Sequence, residues 1–421
     1  MAIGCYPVNI DSKHDITEAE LDLINWLSRQ ALINTDIAIL LQGFCERLVG
    51  LGVPVVRGHL STATLDPRLR GFSLTWHRDS GISRQETFLH VQEQPQRWYQ
   101  SPMYYLLQGG LAELHCRLLP KTEPDFPVFD EFRAAGLTDY YAALFGFGWL
   151  TDTRHTQDIR ELGIICTWAT DAPDGFANPL KRLKRLLPTF ALAVKSTMLI
   201  QITQTVFAAY LGSDAAARVL RGEVRRGLAQ RIHAAICFAD LRGFTRLADT
   251  MPSDRLMAML NRYLECIVNP VQEQGGEVLK FLGDGLLATF ELTNHSAADR
   301  CEAAVKAAVE ALLRVKALNR EHQAAGDPVM ALDIALNLGE VSYGNVGSAN
   351  RLDFTVIGPA VNETARMEAL CESLNINLIV SQTFREGLGS SEHRLVHLGQ
   401  HRLRGLREPK SLYTIAEVPA P

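Results

Sequence analysis

The sequence lacks the cysteine pattern of a disulfide-stabilised or zinc-binding protein. Its eight cysteines are scattered over 421 residues, and no two of them form a Cys-x-x-Cys pair. Cys237 and Cys301 lie in strongly apolar runs, so we expect both to be small, buried side chains. This thiol usage is typical of a reducing compartment rather than of a disulfide framework. The prediction is a cytoplasmic protein.

Long hydrophobic runs are also absent. No stretch of 18 uncharged apolar residues occurs, and residues 1–13 have no apolar core of the kind found in signal peptides. The most apolar stretch, residues 186–211, contains Lys195 and several polar residues. It favours a helix of a soluble domain, and we expect no transmembrane segment.

Basic charge is not in excess. The chain has 42 Lys and Arg against 47 Asp and Glu, a formal net charge of −5. This balance argues against nucleic acid as a partner, and the short basic run at residues 181–185 is typical of a solvated helix face. With 47% hydrophobic and 21% charged residues, the composition is that of a soluble globular protein, and the length favours two domains.

The first half of the chain has the pattern of an α/β module. Apolar spacing predicts helices at 18–29, 36–51, 103–108 and 126–135, strands at 55–64, 71–77, 139–146 and 163–170, and a long helix at 179–211. Residues 78–101 have no clear pattern. The final order of two strands, a turn cluster and a long helix resembles the C-terminal half of a GAF-type sensory domain. We therefore expect residues 1–205 to be a GAF-like sensory or regulatory domain, with a PAS-like or unrelated α/β module as the alternative.

Residues 206–230 are predicted to be a helical linker. Gly212 breaks the long helix, and Ser213 is a good N-cap for a short helix at 215–221. Such a linker transmits a movement between domains or serves as a passive spacer. We expect the input to the first domain to be a small molecule or a protein.

The second half is predicted to have an α+β, ferredoxin-like order. A continuous apolar run at 234–239 indicates a buried central strand. The pattern then predicts helices at 252–274 and 297–318 and two hairpins, one around Gly283-Asp284-Gly285 and one around Gly339-Glu340. A helix at 362–372 and short strands near 378–380 and 412–418 follow. The core order is β-α-β-β-α-β, the split β-α-β arrangement.

Two aspartates of this half occupy strand ends that a ferredoxin-like sheet brings together. Asp240 lies in Phe-Ala-Asp-Leu-Arg-Gly-Phe-Thr at 238–245, and Asp284 lies in Leu-Lys-Phe-Leu-Gly-Asp-Gly at 279–285. Paired carboxylates suit two Mg²⁺ or Mn²⁺ ions on a nucleoside triphosphate, because phosphoryl transfer depends on charge neutralisation. The residues that follow, Gly243, Phe244 and Thr245, open a helix whose free amides suit triphosphate oxygens.

Together with Thr-Val-Ile-Gly-x-x-Val-Asn-x-x-Ala-Arg at 355–366, these motifs resemble the catalytic domain of class III adenylate and guanylate cyclases. The resemblance covers residues 231–418 of the predicted domain 231–421. It implies that Asp240 and Asp284 are metal ligands, with the Leu241 carbonyl as an additional ligand. Asn362 would orient the ribose and Arg366 would stabilise charge at the α-phosphate.

The same resemblance implies the nucleotide. Lys280 matches a purine-contacting position that is lysine in adenylate cyclases and glutamate in guanylate cyclases, and Thr355 matches the second such position. A lysine can donate to adenine N1, whereas a glutamate suits guanine N–H groups. Arg404 matches a residue that holds the terminal phosphates and is usually lysine, and Arg407 is its rival.

In this family the metal carboxylates and the Asn/Arg pair come from different catalytic domains. The resemblance therefore implies a homodimer with two equivalent sites. The leading hypothesis is an adenylate cyclase that converts ATP to 3′,5′-cyclic AMP and pyrophosphate. The alternatives are a guanylate cyclase and a catalytically silent, nucleotide-binding regulatory module.

Overall fold

The structure, a computed structural model, describes residues 16–90, 95–148, 163–389 and 393–416. The chain divides into two compact units, Met1–Val206 and Phe207–Pro421. Each unit has its own sheet, so the two are described separately.

The first unit is built on a six-stranded antiparallel sheet with the order β3-β2-β1-β6-β5-β4. Its strands are β1 Arg57–Ala63, β2 Leu69–His77, β3 Gly81–Leu89, β4 Glu113–Arg117, β5 Asp139–Gly146 and β6 Gly163–Thr170. Its helices are α1 Glu18–Leu32, α2 Ile37–Gly50, α3 Gln96–Tyr99, α4 Pro102–Gln108, α5 Pro127–Ala134 and the long α6 Pro179–Leu211.

Two apolar layers cover the two faces of this sheet. On one face α1, α2 and α6 pack over a core that includes the fully buried Trp76 and Trp168. On the other face α4 and α5 pack over Leu114, Tyr140 and Ile165. The predicted α/β module is confirmed, but β3 and β4 were missed. The alternation of β3 is weak because its side chains are mostly exposed or half-buried.

The long helix α6 begins and ends where the sequence pattern predicts. Among the described residues, it is the one helix with the length and apolar composition that a membrane span needs, and half of its most apolar stretch is buried. Phe190 stacks on Phe44 of α2 with 4.3 Å between ring centroids. This contact belongs to the core of the first unit.

The segment after α6 forms a further short helix, α7 Ser213–Leu220. The expected N-cap Ser213 is wrong by one residue: Gly212 is the cap and has φ +86°, a conformation that glycine adopts without strain. Ala215 and Val219 pack against the sheet of the second unit, and Arg218 lies over the Tyr343 ring.

The second unit contains an eight-stranded sheet whose main path is β13-β14-β12-β10-β7-β9-β8, with β11 on β10. Its strands are β7 Ala229–Arg242, β8 Glu277–Leu282, β9 Gly285–Glu291, β10 Ala331–Gly347, β11 Leu352–Ile357, β12 Leu378–Ser381, β13 Leu395–His401 and β14 Lys410–Ile415. Its remaining helices are α8 Phe244–Ala248, α9 Ser253–Glu273, α10 Ala297–Ala325, α11 Pro359–Glu368, α12 Cys371–Leu374 and α13 Gln382–Leu388.

The order β7-α9-β8-β9-α10-β10 confirms the predicted ferredoxin-like core. Helices α9 and α10 cover one face of the sheet and bury a core that contains Cys237 and Cys301, as predicted for these thiols. The opposite face carries α7 and α11.

The predicted hairpin around Gly339-Glu340 is wrong, because residues 331–347 form one continuous strand. Gly339 pairs with Ala234 and Glu340 with His233, in unbroken register with β7. The glycine serves packing rather than turning, since a Cβ at Gly339 would lie 2.7 Å from the Ala360 Cβ at the start of α11. The hairpin lies further on, between β10 and β11.

Helix α11 begins three residues before the predicted start at residue 362. Gly358 is the cap, and α11 begins at Pro359, so Asn362 lies within the first helical turn. Strand β13 was also missed from sequence, because its side chains are mostly exposed and its pairing with β14 contains a bulge.

Candidate active site

The two predicted metal carboxylates lie at adjacent strands of the central sheet. Asp240 is on β7, two residues before the last residue of the strand, and Asp284 lies in the two-residue turn that joins β8 to β9. β7 and β9 are hydrogen-bonded neighbours, with Ala239 opposite Leu286. The turn is tight because Gly283 adopts φ +74°.

Gly285 brings the Asp284 turn close to Asp240. A Cβ at Gly285 would lie 2.5 Å from both the Ala239 carbonyl oxygen and Asp240 Oδ1. Any larger residue would push the turn away from the Asp240 carboxylate. This glycine therefore permits the close approach of the two carboxylates.

The environment of Asp240 disfavours its charge when no cation is bound. Burial, followed by the nearby Asp284, raises the pKa of Asp240 to about 6. Asp333 stands directly opposite on β10. Arg242 forms a bidentate ion pair with Asp333, with nitrogen–oxygen distances of 2.9 Å and 2.6 Å. The guanidinium therefore balances the charge of Asp333 and not that of Asp240.

This arrangement fits a divalent cation. In the part of the chain that the structure describes, no Lys, Arg or His nitrogen forms an ion pair with Asp240 or Asp284. The described ranges also contain no cluster of three or more His, Cys, Asp or Glu side chains that could hold a metal. Two carboxylates with excess negative charge match the ligand set that Mg²⁺ takes when substrate phosphates complete its coordination.

The segment after β7 has the conformation needed for close backbone approach. Gly243 has φ +98° and caps α8, and a Cβ built there would have open space around it. Phe244 and Thr245 are the first two residues of this five-residue helix. Gly243 lies three residues after Asp240 in the sequence.

Lys280 and Thr355 lie on β8 and β11, two strands that are not paired in the sheet but contact each other. Lys280 on β8 forms an ion pair with Asp353 on β11, at 3.3 Å between Nζ and Oδ2. Thr355 is two residues further along β11, so its side chain shares a face with Asp353. The Thr355 hydroxyl is buried without a hydrogen-bond partner in the described residues. Sequence reasoning missed Asp353, although its spacing of two from Thr355 could have indicated it.

Helix α11 carries Asn362 and Arg366 one turn apart. Asn362 is exposed and Arg366 is half-buried. A Cβ on Gly405 would be 3.6 Å from the Arg366 guanidinium, so the turn after Arg404 lies against Arg366. Arg404 and Arg407 are both exposed, and the geometry does not favour one over the other as the phosphate contact.

The predicted residues therefore form three groups within one chain. The first contains Asp240 and Asp284, the second joins Lys280 to Asp353 on the strand of Thr355, and the third pairs Arg366 with the turn at Gly405. Glu368, which sequence reasoning missed, lies near the first group: burial and then Asp240 raise its pKa to about 7. The signal for it was weak, since a glutamate near a helix end is common.

The family comparison matches residues 229–417 to the adenylate and guanylate cyclase catalytic domain. The match includes β7, the β8–β9 turn and α11, and so covers every site residue named above. The C-terminal half of the chain is a class III nucleotide cyclase catalytic domain.

Two curated proteins are similar to parts of this chain. An uncharacterized protein of Mycobacterium tuberculosis is 32% identical over 208 residues, which is 49% of this chain and 36% of that protein. An adenylate cyclase of Anabaena cylindrica is 26% identical over 270 residues, 63% of this chain and 51% of that one. The chain thus spans between a third and about half of the length of these relatives.

Among solved structures, the adenylyl cyclase CyaB from P. aeruginosa is similar, at 26% identity. The match covers 46% of this chain and 97% of that one, with a TM-score of 0.42.

Proposed function

We propose that the protein is an adenylate cyclase, converting ATP to 3′,5′-cyclic AMP and pyrophosphate. In this reaction the ribose 3′-oxygen bonds to the α-phosphorus, the bond from that phosphorus to the bridging oxygen breaks, and pyrophosphate leaves with its electron pair. The 3′-hydroxyl loses its proton. Because the reaction redistributes charge without forming a covalent enzyme intermediate, positioning and charge stabilisation are the protein's tasks.

The observation that supports the choice of ATP is the ion pair between Lys280 on β8 and Asp353 on β11, the strand that also carries Thr355. Adenine N1 is an acceptor that a lysine ammonium can meet, whereas guanine N1 carries a proton. Asp353 holds the ammonium by an ion pair of 3.3 Å, which favours a fixed position for that donor. The unpartnered Thr355 hydroxyl can accept from the adenine amino group.

Asp240, Asp284 and the Leu241 carbonyl would hold two Mg²⁺ or Mn²⁺ ions. When bound, these ions lower the pKa of the attacking hydroxyl and neutralise charge on the phosphates. Gly243, Phe244 and Thr245 would contact the triphosphate through backbone amides. Asn362 would orient the ribose by hydrogen bonds.

Arg366 would stabilise the negative charge that develops at the α-phosphate. In the described residues no carboxylate pairs with its guanidinium, so the cation is available to an anionic substrate. Arg404, or its rival Arg407, would hold the terminal phosphates.

The proposal includes a homodimer in which each site takes its metal carboxylates from one copy and Asn362 and Arg366 from the other. Exposed apolar side chains near the site support it: Phe281 is 54% and Ile357 49% exposed. Phe281 lies between Lys280 and the Asp284 turn, where a second copy would cover it. Residues 1–205 would act as the sensory or regulatory domain and 206–230 as the linker.

The test is product analysis with the full-length protein, Mn²⁺ and either ATP or GTP. Cyclic AMP from ATP, with little cyclic GMP from GTP, is the expected result. Cyclic GMP as the main product would show that the substrate is GTP and not ATP. ATP binding without any turnover, in a confirmed dimer, would make the protein a silent module. Arg320→Ala, which removes an exposed arginine on α10, is the control for arginine substitutions and should form the same products as wild type.

A further inference from the structure

The first unit contains a cavity of about 290 Å³ between its sheet and the short helices α3 to α5. Its floor is formed by residues of three neighbouring strands: Arg57 and His59 of β1, Tyr140 of β5 and Thr167 of β6. The volume is at the lower end of the range for small-molecule pockets. All the residues that line the cavity belong to the first unit.

A single arginine provides the charge of this cavity. Arg57 donates weakly to the Thr167 hydroxyl, at 3.5 Å, and its guanidinium lies 5.1 Å from the centre of the Phe132 ring. In the described parts of the chain no Asp or Glu forms an ion pair with Arg57. Burial lowers the pKa of Arg57, but an arginine remains protonated at neutral pH. An unpaired cation at the floor of a cavity is costly unless an anion joins it.

The other polar groups of the floor are neutral. Burial, followed by the nearby Arg57, lowers the pKa of His59 to about 3, so its imidazole is uncharged. His59 Nδ1 is bonded to the Thr75 hydroxyl at 2.8 Å. Tyr140 is hydrogen-bonded to Thr167, and burial raises its pKa, which keeps the phenol protonated. These groups can donate or accept hydrogen bonds without cancelling the charge of Arg57.

The rim adds almost no net charge. Arg97 lines the cavity but forms an ion pair with Glu131, another lining residue, at 3.2 Å. Arg84, whose charge also lowers the pKa of Arg57 and of His59, forms an ion pair with Glu86 at 2.7 Å. The unbalanced charge is thus close to one positive unit. A monoanion matches this charge, whereas a phosphate dianion would lack a second cation.

The walls of the cavity favour an apolar ligand body. Apolar and aromatic groups line the side facing the helices: Pro102, Met103, Pro127, Val128 and Phe132. A flat apolar body can lie against Phe132 and Met103 while its charged end meets Arg57. Arg57 offers the planar pair of N–H donors that a carboxylate accepts.

We propose that this cavity binds a small aromatic or apolar monocarboxylic acid, with its carboxylate on Arg57 and its body against Phe132. The site would give the first unit a ligand of defined chemistry. It does not depend on the proposed cyclase activity, because binding can be measured without turnover.

The experiment is isothermal titration calorimetry of the full-length protein with benzoate, phenylacetate and 3-phenylpropionate. Their amides serve as neutral analogues and phenyl phosphate as a dianion. At least one acid should bind with one site per chain, and its amide should bind roughly tenfold or more weakly, because a charged hydrogen bond is lost. Absence of binding by all three acids in the millimolar range, or equal binding of acid and amide, would overturn the proposal.

Variants of Arg57 distinguish a role in ligand binding from a role in stability. Arg57→Gln should weaken acid binding by roughly tenfold or more, and Arg57→Lys should keep part of the affinity because the charge remains. Arg78→Gln, at a half-exposed arginine paired with Asp171, is the matched control and should bind as wild type. Thermal unfolding of Arg57→Gln should show no loss of stability, since an unpaired charge is removed. Retained acid binding in Arg57→Gln, or a marked drop in its unfolding temperature, would contradict the assignment.

Discussion

The contact between Gly339 and α11 gives the sharpest stability and activity prediction. A Cβ at Gly339 would lie 2.7 Å from the Ala360 Cβ, whereas unbonded carbons prefer about 3.5–4.0 Å. Gly339→Ala therefore requires α11 to move by about 1 Å. A hydrogen bond between β10 and α11 resists that shift, from Asn337 Nδ2 to the Ala360 carbonyl at 3.1 Å.

The expected cost has two parts. Overpacking costs about 1–3 kcal/mol of unfolding free energy. Replacing glycine within a strand returns about 0.5–1 kcal/mol, so the net loss should be about 1–2 kcal/mol. Because α11 carries Asn362 and Arg366, the displacement should reduce kcat by about 100-fold, the usual effect of a 1 Å misplacement. Chemical denaturation and cyclic AMP assays measure the two effects.

A second substitution provides the internal control. Ala360→Gly removes the opposing Cβ and should cost at most about 1 kcal/mol by itself. The double variant Gly339→Ala/Ala360→Gly should recover most of the lost activity, because the clashing atom pair no longer exists. Gly50→Ala, at the end of α2 with no atom within 4 Å of the added Cβ, should have no effect on activity. A double variant as inactive as Gly339→Ala alone would refute the packing argument.

Three further outcomes are expected. Lys280→Glu should lower cyclic AMP formation by roughly tenfold or more and raise the ratio of cyclic GMP to cyclic AMP, because the donor to adenine N1 becomes an acceptor. An unchanged product ratio would show that Lys280 does not contact the purine. Arg242→Ala should lower the free energy of unfolding in denaturant by about 3 kcal/mol, because it leaves Asp333 buried beside Asp240 without a cation. The double variant Arg242→Ala/Asp333→Ala should lose less stability. Equal losses in the two variants would contradict a stabilising ion pair. The Cys237 and Cys301 thiols, whose pKa burial raises to about 12, should react with maleimide only on unfolding, and rapid labelling of the native protein would contradict their burial.

The sequence predicts the core of the cyclase domain well because its signals are local. The apolar run at 234–239 and the glycines around Asp284 determine a buried strand and a tight turn without reference to distant residues. Their topology follows from the β-α-β-β-α-β order. The approach of Asp284 to Asp240 could thus be expected before the structure was known.

The errors involve contacts between distant residues. Gly339 has the composition of a turn, but its role is to leave room for Ala360 on α11, which only the packed structure reveals. The Arg242–Asp333 pair joins residues 91 positions apart, so no local pattern indicates it. Strands β3 and β13 lack a fully buried face, and their weak alternation gave no clear prediction.

The most direct test of the shared dimeric site is complementation between two inactive variants. Asp240→Ala and Arg366→Ala should each abolish cyclic AMP formation from ATP and Mn²⁺. When the two proteins are mixed and allowed to exchange subunits, half of the dimers become mixed, and each mixed dimer has one intact site, so activity should return to roughly a quarter of wild type. Failure to recover activity, with exchange confirmed independently, would contradict a site built from two copies of the chain.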